Sequence, residues 1–416
     1  MENSRGSFGS KLGVILATAG SAVGLGNIWR FPYMTGQNGG AAFILIYLVC
    51  IFMLGIPGMV AEFIIGRHSA ANAARSYKNL SNGKPWGVVG YMGVFTSMII
   101  LGFYAVVAGW CLQYLYASIM AEVQGDANFV KEYFASFSSD AVRPTLWTIA
   151  FILLTHVVVV KGVRNGIERA SKILMPLLFV LLVVLVVASC SLQGAWLCTY
   201  ASYFSRQTNL LKTATQIAFL DTLIAILAGL MIFPAAFSVG VQPDSGPSLI
   251  FITLPNVFNE AFASMPVVGY VISVLFYALL VLAALTSTIS MHEIGTAFFY
   301  EEMHISRRGG AWIETVACCV IGIFCALSCG AVPELTFFGK SFLNCCDNFT
   351  AQWLMPMASF FTCIFVGWYI PKKVVHDEFT NWSTLRGRFF GVYLFMVRFV
   401  CPLCILIIFL HQLGVL

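Results

Sequence analysis

Apolar residues run in long blocks separated by short charged loops, and the length of each block sets the predicted element. Nearly uncharged stretches fall at 12–29, 39–61, 88–121, 144–160, 173–205, 213–240, 265–291, 315–332, 349–370 and 389–410. A helix needs about 20 mostly apolar residues to cross a hydrocarbon core, so these read as ten membrane spans. Backbone polar groups in lipid must be satisfied within the segment or by a closed barrel, and blocks this long favour helices.

The loops carry the topology. Arg67, Arg75, Lys78 and Lys84 mark a cytoplasmic loop, as do Lys161, Arg164, Arg169 and Lys172, then Arg307 and Arg308, then Lys372, Lys373, Arg386 and Arg388. The stretches 122–142 and 241–264 are acidic or poor in basic residues and read as external. Arg206 and Lys212 break the alternation, because only the run 173–205 separates them from the cytoplasmic Lys172. Two spans and a turn need roughly 40 residues, and Ser191, Gln193, Thr199 and Ser202 make the second half polar. The expectation is that one span is lost near 190–198.

Composition excludes other classes. The 416 residues are 59% hydrophobic and 10% charged, with a mean hydropathy of +0.86, whereas soluble domains carry roughly 25% charged residues. A net charge of +5 is too small to imply a polyanion, so no nucleic-acid partner is expected. Most of the 13 cysteines, including Cys50, Cys111, Cys190, Cys318, Cys319, Cys325, Cys363, Cys401 and Cys404, lie in apolar runs and read as small hydrophobes. The first apolar segment follows Glu2, Arg5 and Lys11 without a small-residue cleavage pattern, so it reads as a retained span with a cytoplasmic N-terminus.

Polar groups inside the runs are the candidate chemistry. The first span is broken at Val23-Gly24-Leu25-Gly26-Asn27. Freed carbonyls there suit a cavity or an ion, while Gly20, Ala22 and Gly24 equally suit a close helix crossing; composition leaves the two open. Asp221 needs a cation, a proton or an internal hydrogen bond. Thr286-Ser287-Thr288 offers hydroxyls to a hard cation or back to the helix carbonyls. Tyr104 reads as a core tyrosine or a ligand contact. His156, His292 and Glu293 are intramembrane candidates for an enzyme, but no nucleophile with a base or zinc-site spacing accompanies them, and no enzymatic activity is expected.

The run Gly20-Ser21-Ala22-Val23-Gly24-Leu25-Gly26-Asn27-Ile28-Trp29-Arg30-Phe31-Pro32-Tyr33 and Asn38-Gly39-Gly40-Ala41-Ala42-Phe43 resembles the first-span signature of the neurotransmitter:sodium symporter family. Gly55-Ile56-Pro57 to Glu62 to Gly66-Arg67, Lys161-Gly162 to Gly166-Ile167-Glu168-Arg169, Thr199-Tyr200-Ala201-Ser202-Tyr203 and Leu285-Thr286-Ser287 extend the resemblance. It implies an all-α polytopic bundle with the LeuT-like inverted-repeat fold, in the plasma membrane. A first repeat would cover 1–190, a truncated second repeat 191–371, and a trailing helix 372–416. It also implies two sodium ions, one at Ala22, Asn27 and Asp221, where many relatives have asparagine, and one at Gly20, Val23, Ala283, Thr286 and Ser287. Substrate would meet Ala22, Gly24, Gly26, Ile100, Tyr104, Ser287 and Met291. Arg30 with Asp347 resembles an external gate, and Arg5 with Glu301 and Tyr203 an internal one. The external stretch 246–262, with Pro247 and Pro255 bracketing apolar residues, reads as a lid over that vestibule or as a surface helix packed on the bundle.

Amine-selective relatives place an aspartate at the position of Gly24. With glycine the substrate must bring its own carboxylate, and apolar Ile100 and Met291 then imply a neutral, hydrophobic or aromatic amino acid carried with sodium. The chain departs from the family between Ala188 and Cys198, where the first half of helix 6 is expected to be missing, and with it part of the pocket and at least one sodium ligand. The alternative is a transport-dead deletion variant with a structural or associative role.

Overall fold

The computed structural model describes residues 10–28, 30–186, 209–238, 249–261, 263, 265–332, 334–337 and 339–414. The expected junction at 190–198 lies outside the described residues, as do Arg5 and Tyr203.

The chain opens with α1 (Lys11–Ala22), capped by the Ser10 hydroxyl, which accepts from the Gly13 N–H. It breaks at Val23-Gly24 and resumes as α2 (Leu25–Ile28) and α3 (Arg30–Gln37). The predicted run 12–29 is therefore two short helices, as two flanking glycines in a helix interior favour. Ala41–Ser69 is α4, one long span with a π-helical turn at Ile51–Gly55. Its face bearing Leu45, Ile46, Val49 and Phe52 is exposed, as lipid contact requires. The short α5 (Ala73–Leu80) is capped by Asn72, and α6 (Gly87–Ile119) runs the height of the bundle. At Gly109 of α6 an added Cβ would lie 2.8 Å from the Thr148 backbone nitrogen. Glycine there lets two helices meet backbone to backbone.

Beyond α6 come α7 (Ala127–Ser138) and α8 (Arg143–Val159), bent by 73° at their junction, then α9 (Arg169–Val186) and α10 (Leu210–Ser238). The described part of the predicted lid is a π-helical turn, Leu249–Thr253, followed by α11 (Leu254–Ala261). It is seated on the bundle: Phe251 is fully buried against Trp110, Tyr114 and Phe134, and Tyr277 Oη donates to Ile250 O at 2.7 Å. The longest helix, α12 (Pro266–Glu302), lies at the centre, packed along α6 and α13 (Arg307–Leu327) and touching α1 and α9. A small antiparallel pair, Thr336–Phe337 with Lys340–Ser341, leads into α14 (Phe342–Tyr369), followed by α15 (Lys372–Phe379) and α16 (Phe390–Gln412).

Among the described residues seven helices are each long and apolar enough to cross a membrane, or eight with the bent α7–α8 pair as one span. Two of the ten predicted runs account for the difference. The first is divided at Val23-Gly24, and the run from 173 continues past Val186, beyond the described residues. Each of the ten runs is mostly helix where described, with turns at several run ends and the break at Val23-Gly24.

Candidate functional site

The break in the first span is where the polar groups meet. With Val23 and Gly24 out of helical register, their neighbours' N–H groups need partners. Gly24 N–H donates to Asn27 Oδ1 at 3.0 Å and Leu25 N–H donates to Tyr104 Oη at 2.8 Å. The fully buried Asn27 then turns its amide nitrogen to Asp221 Oδ1 at 3.3 Å. A turn in α1–α2 thus joins α6 and α10, and Tyr104 enters the same network as the Asn27–Asp221 pair that the resemblance grouped.

The residues expected to hold the two ions lie on either side of this turn. Ala22 and Asp221 line one cavity of about 370 Å³ with Tyr47, Glu62, Met355 and Ser359, and Asn27 reaches Asp221 from the α2 side. On the other side, Ser287 Oγ donates to Val23 O at 2.8 Å and lies 3.5 Å from Gly20 O, while Thr286 Oγ1 donates to Ala283 O at 3.0 Å. An added Cβ on Gly20 would stand 3.2 Å from the Thr286 Cβ. All five residues of this second set are therefore together. Both groups present hard oxygen donors, carbonyl, hydroxyl and carboxylate, as a small alkali cation prefers. Among the described residues no cluster of three or more His, Cys, Asp or Glu side chains has the geometry to hold a metal ion.

Between these two oxygen-rich clusters lies Gly24. A Cβ there would be 2.8 Å from Ser287 Oγ and 2.9 Å from Tyr104 Oη, so the backbone lies against two hydroxyls with no room for a side chain. Around Gly26 an added Cβ would meet nothing within 4 Å among the described residues. Ile100 is half-buried on α6. Met291 is placed against Leu101, Ala105, Ile152 and Cys318, between α6, α8 and α13.

The residues expected to form gates divide. Arg30 Nη1 lies 3.8 Å from Asp347 Oδ1, with the two side chains 52% and 35% exposed, so water screens the pair. Glu301 accepts from the Asn72 backbone N–H at 2.7 Å and its side-chain amide at 3.0 Å, and Arg75 bonds Glu302 and the Glu301 carbonyl. Sequence reasoning missed Asn72 and Arg75; the signal was an N-cap residue followed three positions later by an arginine. It also missed the anchor of α1, where Glu168 accepts from Ser10 Oγ at 3.0 Å and Lys172 Nζ at 2.6 Å. The intramembrane histidines are absorbed structurally: His156 Nδ1 and His292 Nε2 both bond Thr315 Oγ1, at 2.7 and 2.8 Å, and Glu293 pairs with Arg307.

A helical membrane bundle with a broken first span and oxygen-rich clusters at the break is the build of a membrane transporter, and the comparisons supply the class: a sodium-dependent transporter of the LeuT-like fold. A model of the sodium:neurotransmitter symporter family matches residues 5–127 and 195–416, and the chain belongs to that family. It is 34% identical to the uncharacterized sodium-dependent transporter YhdH of Bacillus subtilis, covering 98% of each chain. It is 30% identical to an uncharacterized sodium-dependent transporter of Haemophilus influenzae, again over 98% of both. The crystal structure of MhsT in complex with L-phenylalanine superposes with a TM-score of 0.89 at 36% identity, over 98% of this chain and 100% of that one. This is a multi-pass membrane transporter and not an enzyme, and nothing in the comparisons favours the transport-dead alternative.

Proposed function

We propose that the chain couples inward sodium flow to uptake of a neutral, hydrophobic or aromatic amino acid across the plasma membrane, with its N-terminus cytoplasmic. The observation that carries the substrate class is the packing at Gly24. Two hydroxyls occupy the space a side-chain carboxylate would need, so the carboxylate must arrive on the substrate, near Tyr104 Oη and the N-terminus of α2, where backbone N–H groups favour an anion. Ala22, Gly24, Gly26, Ser287, Ile100 and Met291 complete the assignment, the last two as apolar wall. The L-phenylalanine held by MhsT supports an aromatic substrate.

One sodium is assigned to Ala22, Asn27 and Asp221 and the other to Gly20, Val23, Ala283, Thr286 and Ser287, with Arg30–Asp347 as outer gate and Arg5, Tyr203 and Glu301 as inner gate. The repeat boundaries 1–190, 191–371 and 372–416 belong to the same proposal. So does a shortened helix 6 that weakens at least one ion site. The alignment with the Bacillus relative runs to 449 columns although this chain has only 416 residues, so it carries gaps in this chain, which supports a shortfall; the charge pattern points to 190–198.

The test is uptake into proteoliposomes under an imposed inward sodium gradient. Accumulation of L-phenylalanine or another neutral apolar amino acid is expected, collapsing when sodium is equal on both sides. Failure to accumulate any amino acid while the purified protein remains folded would overturn the proposal.

A further inference from the structure

Where the small antiparallel pair meets α14, the outer surface of the bundle is hollowed. A cavity of about 470 Å³ opens there, lined by Phe337, Phe342, Phe349 and Trp353, with Lys340 and Asn348 as its polar groups. Phe337 and Lys340 are partners across the strand pair, so ring and ammonium stand on one face of the ribbon. Cys345 Sγ donates to Phe337 O at 3.3 Å and ties that ribbon to the first turns of α14, and the Phe337 and Phe342 ring centroids lie 5.9 Å apart.

The slot has the depth of one leaflet. Phe342, Cys345, Phe349 and Trp353 recur every three or four residues and share one face of α14. From Phe342 to Trp353 a helix rises about 16 Å, against about 15 Å for half of a hydrocarbon core. Phe337, Phe349 and Trp353 are all exposed, and Trp353 carries the wall onto α16 by an edge-to-face contact with Phe409, centroids 5.8 Å apart.

The charge is confined to one end. Lys340 is the only basic residue between Arg308 and Lys372. It is exposed, and among the described residues no carboxylate pairs with its ammonium: Asp347 lies beside Arg30, and Glu334 forms no ion pair. Asn348 Oδ1 accepts from Gln352 Nε2 at 3.3 Å, and its amide nitrogen has no partner among the described residues. Aromatic belts touch lipid without choosing it; a cation at the mouth of an apolar slot chooses by headgroup charge. A zwitterionic headgroup brings its own ammonium close to its phosphate and gains less from Lys340 than an anionic one does.

We propose that this slot binds one anionic phospholipid of the phosphatidylglycerol type, its phosphate at Lys340 and an acyl chain along Phe342, Phe349 and Trp353. Lysine suits the place because its apolar stem lies along aromatic surface while the ammonium stays at headgroup level. In the orientation proposed above the lipid belongs to the outer leaflet. The site itself is independent of the substrate and ion assignments.

The full-length protein is reconstituted in phosphatidylcholine nanodiscs with rising fractions of phosphatidylglycerol brominated on its acyl chains, which quenches indoles that it touches. The Trp353 signal is the difference between the parent and Trp353→Phe, which keeps an aromatic ring against Phe409. Half-quenching is expected at a lipid fraction about fivefold below that required of brominated phosphatidylcholine, the preference that one lysine near an anionic headgroup confers. Lys340→Gln should abolish the preference, and Lys131→Gln, at an exposed position on α7, should keep it. Millimolar glycerol 1-phosphate, the headgroup without chains, should leave the quenching unchanged. Equal quenching by the two lipids would mark an ordinary annular contact and overturn the site, as would a preference that survives Lys340→Gln or is lost equally in Lys131→Gln. Relief of quenching by glycerol 1-phosphate would show that a free phosphate competes for Lys340 and overturn the role of the slot.

Discussion

Gly24 shows how one missing side chain can define a site. Ser287 Oγ is already committed to Val23 O and Tyr104 Oη to the Leu25 N–H, so a methyl group at Gly24 must displace one of two engaged hydroxyls. Overpacking of this kind costs about 1–3 kcal/mol. Gly24→Ala is expected to fold with a lowered thermal midpoint in detergent and to lose most sodium-driven uptake. Gly26→Ala, whose Cβ meets no described atom within 4 Å, should shift the midpoint less; equal shifts would contradict the packing argument. The glycines were visible in the sequence. What pressed against one and not the other was not, because the hydroxyls come from α6 and α12.

At the scale of elements, the end of α4 is held by a buried ion pair. Arg67 Nε donates to Glu378 Oε2 at 2.7 Å and Nη1 to Asn381 Oδ1 at 3.0 Å, with both charged side chains 1% exposed. The guanidinium also lies 5.4 Å from the Trp382 ring. Asn381, Trp382 and Ser383 all have positive φ, 48°, 51° and 66°, a left-handed run that side-chain-bearing residues adopt at a cost, and Arg67 binds two of the three. Arg67→Ala leaves the Glu378 carboxylate buried without its guanidinium and is expected to destabilise by about 3–5 kcal/mol. The double variant Arg67→Met with Glu378→Leu should recover most of that in the same unfolding assay. A single variant as stable as the parent would show that the pair does not hold α15.

The start of α8 offers a pH test. Asp140 Oδ1 accepts from the Arg143 N–H at 2.9 Å and the Val142 N–H at 2.6 Å, and these bonds hold its carboxyl below the usual carboxylate range. A depressed native value means that the contribution is fully present above the unfolded value of about 3.9 and is lost as pH falls through the lower native value. Hydrogen-exchange protection of the Val142 and Arg143 amides, corrected for intrinsic rates, should therefore fall in that acidic window. Asp140→Asn should flatten the profile, and a profile that stays steep would assign it to another group.

For the whole molecule, the screened Arg30–Asp347 pair stands apart from the buried ion clusters, so the two should separate experimentally. Asp347→Asn is expected to change the rate of uptake more than the sodium concentration giving half-maximal uptake; equal changes in both would mean that the pair helps to hold an ion. The long apolar helices and the break in the first were legible in the sequence because each is a property of one segment. Transfer to lipid is scored residue by residue along a helix, and two glycines weaken a helix wherever it packs. Asn27, Asp221 and Ser287 were legible as costly polar groups, and the family resemblance grouped them. Their joining was decided by tertiary structure: Ser287 meets Val23 across 264 residues of chain. Contacts between helices depend on how surfaces fit across the bundle, and the pattern along any single span carries no record of the neighbour it will meet.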